Sequence, residues 1–186
     1  MSDDDGLAAR LGTNRGTLGR LYDRYYTKVL AYCIHRLFSR QAAEDVASDV
    51  FLRIAKDIRR FKGSDEQDLR NWIYTIAINQ VNTHIRKTRR RKNLFEDACD
   101  KGAIGSCAAL EPADKSDWAK LYDALASLKP AQQDAITLRY FEGLSPKQIA
   151  GVLQVNPGTV RTMLFRAVRK LRKHLSEYFG NQDRAP

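Results

Sequence analysis

Over roughly the first half of the chain, apolar side chains return every three or four residues, the step that keeps them on one face of a helix. From Leu18 the series Leu21, Tyr22, Tyr25, Val29, Cys33 and Leu37 predicts a first helix. Val46, Val50, Ile54 and Ile58 line one side of a second, over about residues 42–58. A third starts near Asp68 and turns Leu69, Trp72, Ile73, Ile76 and Ala77 inward. It continues through Val81 and Ile85 into a basic run. Between the second and third helices, FKGSDEQ holds a Gly-Ser pair and reads as a loop.

The period fails from Asn93 to Ser116, where Gly, Ser and Pro are scattered among five acidic and two basic residues. That composition reads as a flexible acidic linker. Order resumes at Asp117 with the stripe Trp118, Leu121, Tyr122, Leu125 and Leu128. Pro130 suits the first position of a further helix, running through Ile136 and Leu138 to Phe141. There is no period-two strand pattern and no repeat. The expected fold class is therefore all-α, with two small helical domains joined by the linker. The boundaries read as residues 17–92 and 117–178 for the domains, 93–116 for the linker, and flexible termini at 1–16 and 179–186.

The sharpest local signal follows Glu142-Gly143. Ser145-Pro-Lys-Gln148 has the form of a capping box, in which the Ser145 hydroxyl and the Gln148 side chain satisfy each other's backbone amides. Pro146 sits where a missing amide hydrogen matters least. Ile149, Ala150 and Leu153 face inward, and the short QVN turn leads to a second start signal, Asn156 as cap and Pro157 as first helical residue. The helix after it buries Val160, Leu164, Ala167, Val168 and Leu171 and exposes Thr159, Arg161, Thr162, Arg166, Arg169 and Lys170. Two short helices joined in this way form a helix-turn-helix, which lays its second helix in a DNA major groove. Residues early in that helix reach base edges, and later basic residues meet phosphates. A solvated basic helix face is the plain alternative, and two successive caps around one short turn weigh against it.

Charge adds a second candidate. The chain of 186 residues has 32 basic and 22 acidic side chains, a formal charge of +10, which favours an anionic partner. Six of the eight residues from Ile85 to Lys92 are basic, a density suited to neutralising phosphates. Asn79, Asn82, Thr83 and His84 precede the run, and Trp72 and Tyr74 lie upstream. Polar side chains and aromatics beside a basic track suit unstacked single-stranded bases, although Trp72 lies on the apolar stripe and reads first as core. The acidic start MSDDDGLAAR lacks the apolar centre of a signal peptide, and no stretch approaches a membrane span. A cytoplasmic protein without membrane contact is expected. Cys33 reads as a small core hydrophobe, and Cys99 and Cys107, with no CxxC, as reduced thiols. No nucleotide loop, partnered nucleophile or metal cluster is visible, so neither an enzyme nor a cofactor or metal site is expected.

These residues resemble the extracytoplasmic-function (group IV) sigma factors of the sigma-70 family. AEDVASDVFLRIAKDIRRF, at 43–61, is similar to their core-polymerase-binding helix. FKGSDEQDLRNWIYTIAINQVNTHIRKTRRR, at 61–91, resembles their segment that melts and recognises the −10 promoter element. LKPAQQDAITLRYFEGLSPKQIAGVLQVNPGTVRTMLFRAVRKLRKHL, at 128–175, resembles their −35-reading domain. The resemblance implies a sigma2-like bundle and a sigma4-like helix-turn-helix domain, in an alternative sigma factor that binds core RNA polymerase and directs promoter-specific initiation.

The roles it implies are specific. Glu44, Asp45, Asp49 and Phe51 would face the clamp of the largest polymerase subunit, and the second domain would meet the flap of the second-largest. Lys62, Gly63, Ser64 and Asp65 would form the loop that captures a flipped, single-stranded −10 base. Asn79, Asn82, Thr83 and Arg86 would contact the upstream part of that element, with Lys87, Arg89, Arg90, Arg91 and Lys92 on the backbone. Ser145, Lys147, Thr159, Arg161, Thr162, Arg166, Arg169 and Lys170 would meet double-stranded −35 DNA. The linker would thread the polymerase's nucleic-acid channel, and an anti-sigma factor is the family's usual restraint. The chain departs from the family at Ser48 and Ala55, where Gln and Trp are usual, and at Met163 and Phe165, where Arg and His are frequent. The rival readings are a conventional helix-turn-helix activator or repressor acting without being a polymerase subunit, and a signalling adaptor.

Overall fold

Leu21, Tyr25, Val29, Tyr32 and Cys33 are buried along one side of helix α1 (Arg15–Leu37), as their three- and four-residue steps require. The computed structural model describes residues 15–100 and 117–179, and every regular element among them is helical. At the end of α1 the chain turns on Phe38, whose φ of 54° is left-handed and whose amide donates to the Ile34 carbonyl at 2.9 Å. A bulky residue adopts that region at a cost of about 1–3 kcal/mol. Its ring packs against Tyr122 at 4.8 Å, which helps to offset the cost. Ser39 then caps α2 (Arg40–Asp57) by accepting from the Ala42 amide, and α2 buries Ala43, Val46, Ala47, Val50, Phe51 and Ile54.

One 3-10 turn (Ile58–Arg60) and the loop to Asp65 lead into α3 (Glu66–Asp100). Two carboxylates fix its start: Asp65 accepts from the Asp68 amide at 2.7 Å, and Asp68 accepts from the Ser64 amide at 3.1 Å. Gly63 is required by close approach, since a Cβ there would lie 2.3 Å from the Phe61 ring. The helix begins two residues before the predicted Asp68 and continues to Asp100. Residues 93–100, read above as the start of the linker, are helical, and no Gly or Pro interrupts the chain before Gly102. The rest of the linker, with Cys107, and nearly all of both termini lie outside the described residues.

The second group comprises α4 (Asp117–Ala126), α5 (Pro130–Ile136) with one wide turn at Thr137–Phe141, α6 (Pro146–Leu153) and α7 (Pro157–Phe179). Pro130 opens α5 as expected. The Gln133 side-chain amide donates through Nε2 to the carbonyls of Leu125, Ala126 and Leu128, tying the end of α4 and the turn after it to α5. Leu125, Leu128, Ile136 and Ala167 form a small core of this domain's own.

A larger core crosses between the domains. Leu138, Leu144, Ile149, Val152 and Val160 belong to the same apolar cluster as Leu21, Tyr32, Ile73 and Tyr74. Helix α6 packs on α3, and the wide turn after α5 packs on α1. The two all-α units are present as expected. Periodicity does not foretell that they share one interior.

Candidate nucleic-acid interface

The helix-turn-helix is built by the caps that its sequence contains. The Ser145 hydroxyl accepts from the Gln148 amide at 3.3 Å, and the Gln148 side chain accepts from the Ser145 amide at 2.8 Å. Helix α6 ends on Gln154, whose left-handed conformation (φ 55°, ψ 44°) turns the chain sharply. Asn156 then accepts from the Gly158 amide at 2.9 Å and opens α7. Val160 and Ala167 are buried beneath α7, while Thr159, Arg161, Thr162, Arg166, Arg169 and Lys170 are exposed along it. A shallow groove beside the helix is lined by Lys129, Gln132, Thr159, Thr162, Arg166 and Lys173, among others, with no acidic side chain. Lys170 is partly committed, since its ammonium donates to the Ser127 carbonyl. Lys147 is exposed on α6, and Ser145 acts as the cap.

A second basic surface lies on α3. Arg86, Lys87, Arg89, Arg90 and Arg91 are all exposed, as is Asn79, while Asn82 and Thr83 are half-buried. Arg86 donates to the Asn82 carbonyl at 3.2 Å and to the Thr83 hydroxyl at 3.3 Å, which orders this face. At the other end of α3, Lys62, Ser64 and Asp65 are exposed around half-buried Gly63. Trp72 is half-buried against Phe61, ring centroids 5.3 Å apart, and so behaves as packing here.

The acidic face of α2 presents Asp45 and Asp49 to solvent, and Glu44 pairs with Arg40 at 2.9 Å. Phe51 is only 7% exposed and packs edge-on against Tyr22 at 4.9 Å. The exposed apolar side chain on that face is its neighbour Leu52, at 59%, in a shallow depression with Leu18, Tyr22, Ser48 and Ala55. Phe51 therefore supports the face, and Leu52 is the apolar side chain that it exposes.

Periodicity also missed the polar groups along the seam between the domains. Arg36, 3% exposed, donates through Nε to the Asp134 carboxylate at 2.7 Å. The same carboxylate accepts from the Tyr32 hydroxyl at 2.8 Å. Arg36 also donates to the Gln133 side chain and, at 3.3 Å, to Asn82. Further along, the Tyr74 hydroxyl donates to Glu142 at 2.6 Å, Thr75 donates to the Val152 carbonyl at 3.0 Å, and Gln148 donates to Gln67 at 2.9 Å. His35 stacks on Phe141 at 3.8 Å. One signal was available: Arg36 lies on the stripe of Val29, Tyr32 and Cys33, where a charge needs a buried partner.

Burial sets the protonation of this seam. It pushes the Cys33 thiol up to about 12, with the Glu142 carboxylate adding to the rise and Arg36 opposing it. Burial lowers His35 and raises Glu142, the latter against the Tyr74 hydrogen bond and Lys28, which both pull it down. A carboxyl raised in the folded chain contributes stability that is full below its unfolded pKa and is lost as pH rises through its folded one. Near neutral pH the ionised Glu142 is thus a cost. Glu142→Gln keeps an acceptor for Tyr74 and should match or exceed the wild type in urea midpoint at pH 7. The advantage should shrink towards pH 4, and an advantage independent of pH would refute this account.

Among the described residues no cluster of His, Cys, Asp and Glu is arranged to hold a metal, and no helix is long and apolar enough to cross a membrane. Comparisons with known proteins cover both surfaces. Residues 21–91 match the family model "Sigma-70 region 2" and residues 118–171 match "Sigma-70, region 4". The chain is 34% identical over 160 residues to the ECF RNA polymerase sigma factor BldN of Streptomyces coelicolor, covering 86% of this chain and 60% of that relative. It is 30% identical to the ECF RNA polymerase sigma factor SigL of Mycobacterium tuberculosis, covering 84% of this chain and 88% of the relative. In fold it is similar to CnrH, solved in complex with the cytosolic domain of CnrY, with a TM-score of 0.68 at 21% identity over 92% of this chain and 96% of that one.

Proposed function

The chain belongs to the sigma-70 family, among its extracytoplasmic-function members, and from that premise we propose how its surfaces act as an alternative sigma factor. The carrying observation is that one short chain holds two separate basic, DNA-suited helices, α7 and the far half of α3, in the family's order. Asp45, Asp49, Glu44 and Leu52 on α2 dock on the clamp of core RNA polymerase, while the second domain meets the flap. Residues Thr159, Arg161, Thr162 and Arg166 enter the major groove of the −35 element. The loop Lys62–Asp65 and the face of Asn79, Asn82 and Thr83 hold unstacked −10 bases, and Arg86 to Arg91 lie along phosphates. Binding the open strand in preference to the duplex shifts DNA towards the melted state. No bond is made or broken by the chain itself, so it is an initiation factor and not an enzyme. It works where polymerase and DNA are, in the cytoplasm.

Both elements cannot be read while the domains are closed. Elements centred near −35 and −10 are about 25 base pairs apart, or ~85 Å of duplex. Val152 is held 3.0 Å from Thr75. Thr159 follows Val152 by seven residues, at most about 25 Å of chain. Arg91 lies sixteen residues beyond Thr75 on α3, about 24 Å along the helix. The closed chain reaches little more than half the distance, so the seam between the domains opens on the promoter. A restraining anti-sigma partner, as NepR is named beside the similar sigma factor RpoE of Bartonella quintana, has such a closed form to hold.

Transcription by purified core polymerase on fragmented host genomic DNA, with and without the chain, tests this reading. New transcripts sharing spaced −35 and −10 elements are expected. If the chain alone binds duplex sites yet elicits no transcripts, the conventional regulator takes its place.

A further inference from the structure

The Asp134 carboxylate sits in a ready-made oxyanion site whose other members all belong to the first domain. Tyr32 donates its hydroxyl at 2.8 Å, and Arg36 donates Nε at 2.7 Å, both to the same Oδ1. The Arg36 fork also reaches Asn82, on the face assigned above to the −10 element. Arg36 opens onto a crevice of about 610 Å³ between the domains, lined also by His84, Thr88 and Arg89 of the basic helix and by no carboxylate. When the second domain leaves, Asp134 and Gln133 leave with it. The guanidinium remains at the foot of the phosphate-binding track, with Asn82 as its first-domain partner and stripped of its counter-charge.

We propose that Arg36 is an exchangeable anion site: Asp134 fills it in the closed chain, and a backbone phosphate of promoter DNA fills it once the domains part. Asp134 then acts as an internal stand-in for DNA. A planar guanidinium suits the exchange because carboxylate and phosphate present the same paired oxygen geometry to it. Parting the domains removes Asp134 and uncovers the guanidinium in one step, so loss of the carboxylate and access for a phosphate are coupled. The assignment rests on the sigma-factor reading and adds to it a DNA ligand on α1, outside both basic helices, together with the reason for its concealment.

Two substitutions separate this exchange from a mere latch. Asp134→Asn and Arg36→Gln each break the ion pair, so both should open the full-length chain, seen as a larger radius of gyration in small-angle scattering. Only Asp134→Asn leaves the guanidinium for DNA. With a fluorescent fork-junction DNA of mixed sequence, it should bind about tenfold more tightly than Arg36→Gln. The slope of log affinity against log salt should be steeper by about 0.9, one phosphate contact. Equal slopes for the two variants would overturn the exchange. So would capture of Asp134→Asn by a polyglutamate peptide as strong as its capture by DNA, which would assign the site to an acidic protein segment. Asp134→Ser serves if the asparagine variant does not fold. The parent reading is scored separately with the wild-type chain: transcription by that chain with core polymerase, alongside equal slopes, sinks the exchange alone.

Discussion

Replacing Leu138 by alanine should destabilise the chain by about 2–5 kcal/mol, the range for emptying a fully buried leucine site. It should also lower the unfolding midpoint of the first domain, although Leu138 belongs to the second. Leu138 has no exposed surface, and it lies in the same cluster as Tyr32, Ile73 and Tyr74. Removing three carbons there leaves a cavity that α1 and α3 would have to collapse to fill. The fluorescence of Trp72 reports the first domain if Trp118 is replaced by phenylalanine, and circular dichroism reports both. Coincident transitions, both shifted, are expected for one cooperative unit. An unshifted Trp72 transition beside a shifted helical one would show that the shared core is not a shared stability.

The second large effect concerns charge. Changing Arg89, Arg90 and Arg91 together to alanine should reduce the salt slope of promoter binding by about 2.7, three contacts at about 0.9 each. Between about 50 and 200 mM salt, the wild type would then lose about fortyfold more affinity than the variant. Alanine is the strongest helix former, so α3 should persist and the change should report phosphates alone. All three side chains are exposed. Binding to a duplex carrying only the −35 element should keep its slope. A reduced slope there too would place these arginines in general attraction, away from the −10 region.

What was legible in the sequence was legible for local reasons. The helix-turn-helix could be read because its caps act over three residues: Ser145 with Gln148, and Asn156 with the start of α7. Helices α1 to α3 could be read because their buried residues repeat at the helical step. The end of α3 was placed early at Asn93 because the change of composition there looks like a break, whereas residues 93–100 contain no Gly or Pro to disfavour helix. The left-handed turns at Phe38 and Gln154 carry no glycine to announce them. The burial of Phe51 was hidden because a family position carries no measure of exposure. The seam was hidden for another reason. Tyr32 and Arg36 meet Asp134 across about a hundred residues, and no periodicity encodes a pairing at that separation.

That separation has a consequence in time. Asp134 follows Arg36 by 98 residues in the chain, and ribosomes add about 5–20 residues per second. The first domain, residues 17–92, is complete before the chain reaches Asp134, so each newly made molecule spends roughly 2–8 s with that domain synthesised and its Arg36 not yet covered. For that interval Arg36 stands without the carboxylate that the finished fold sets against it, so the pairing that closes the seam can form only late in synthesis.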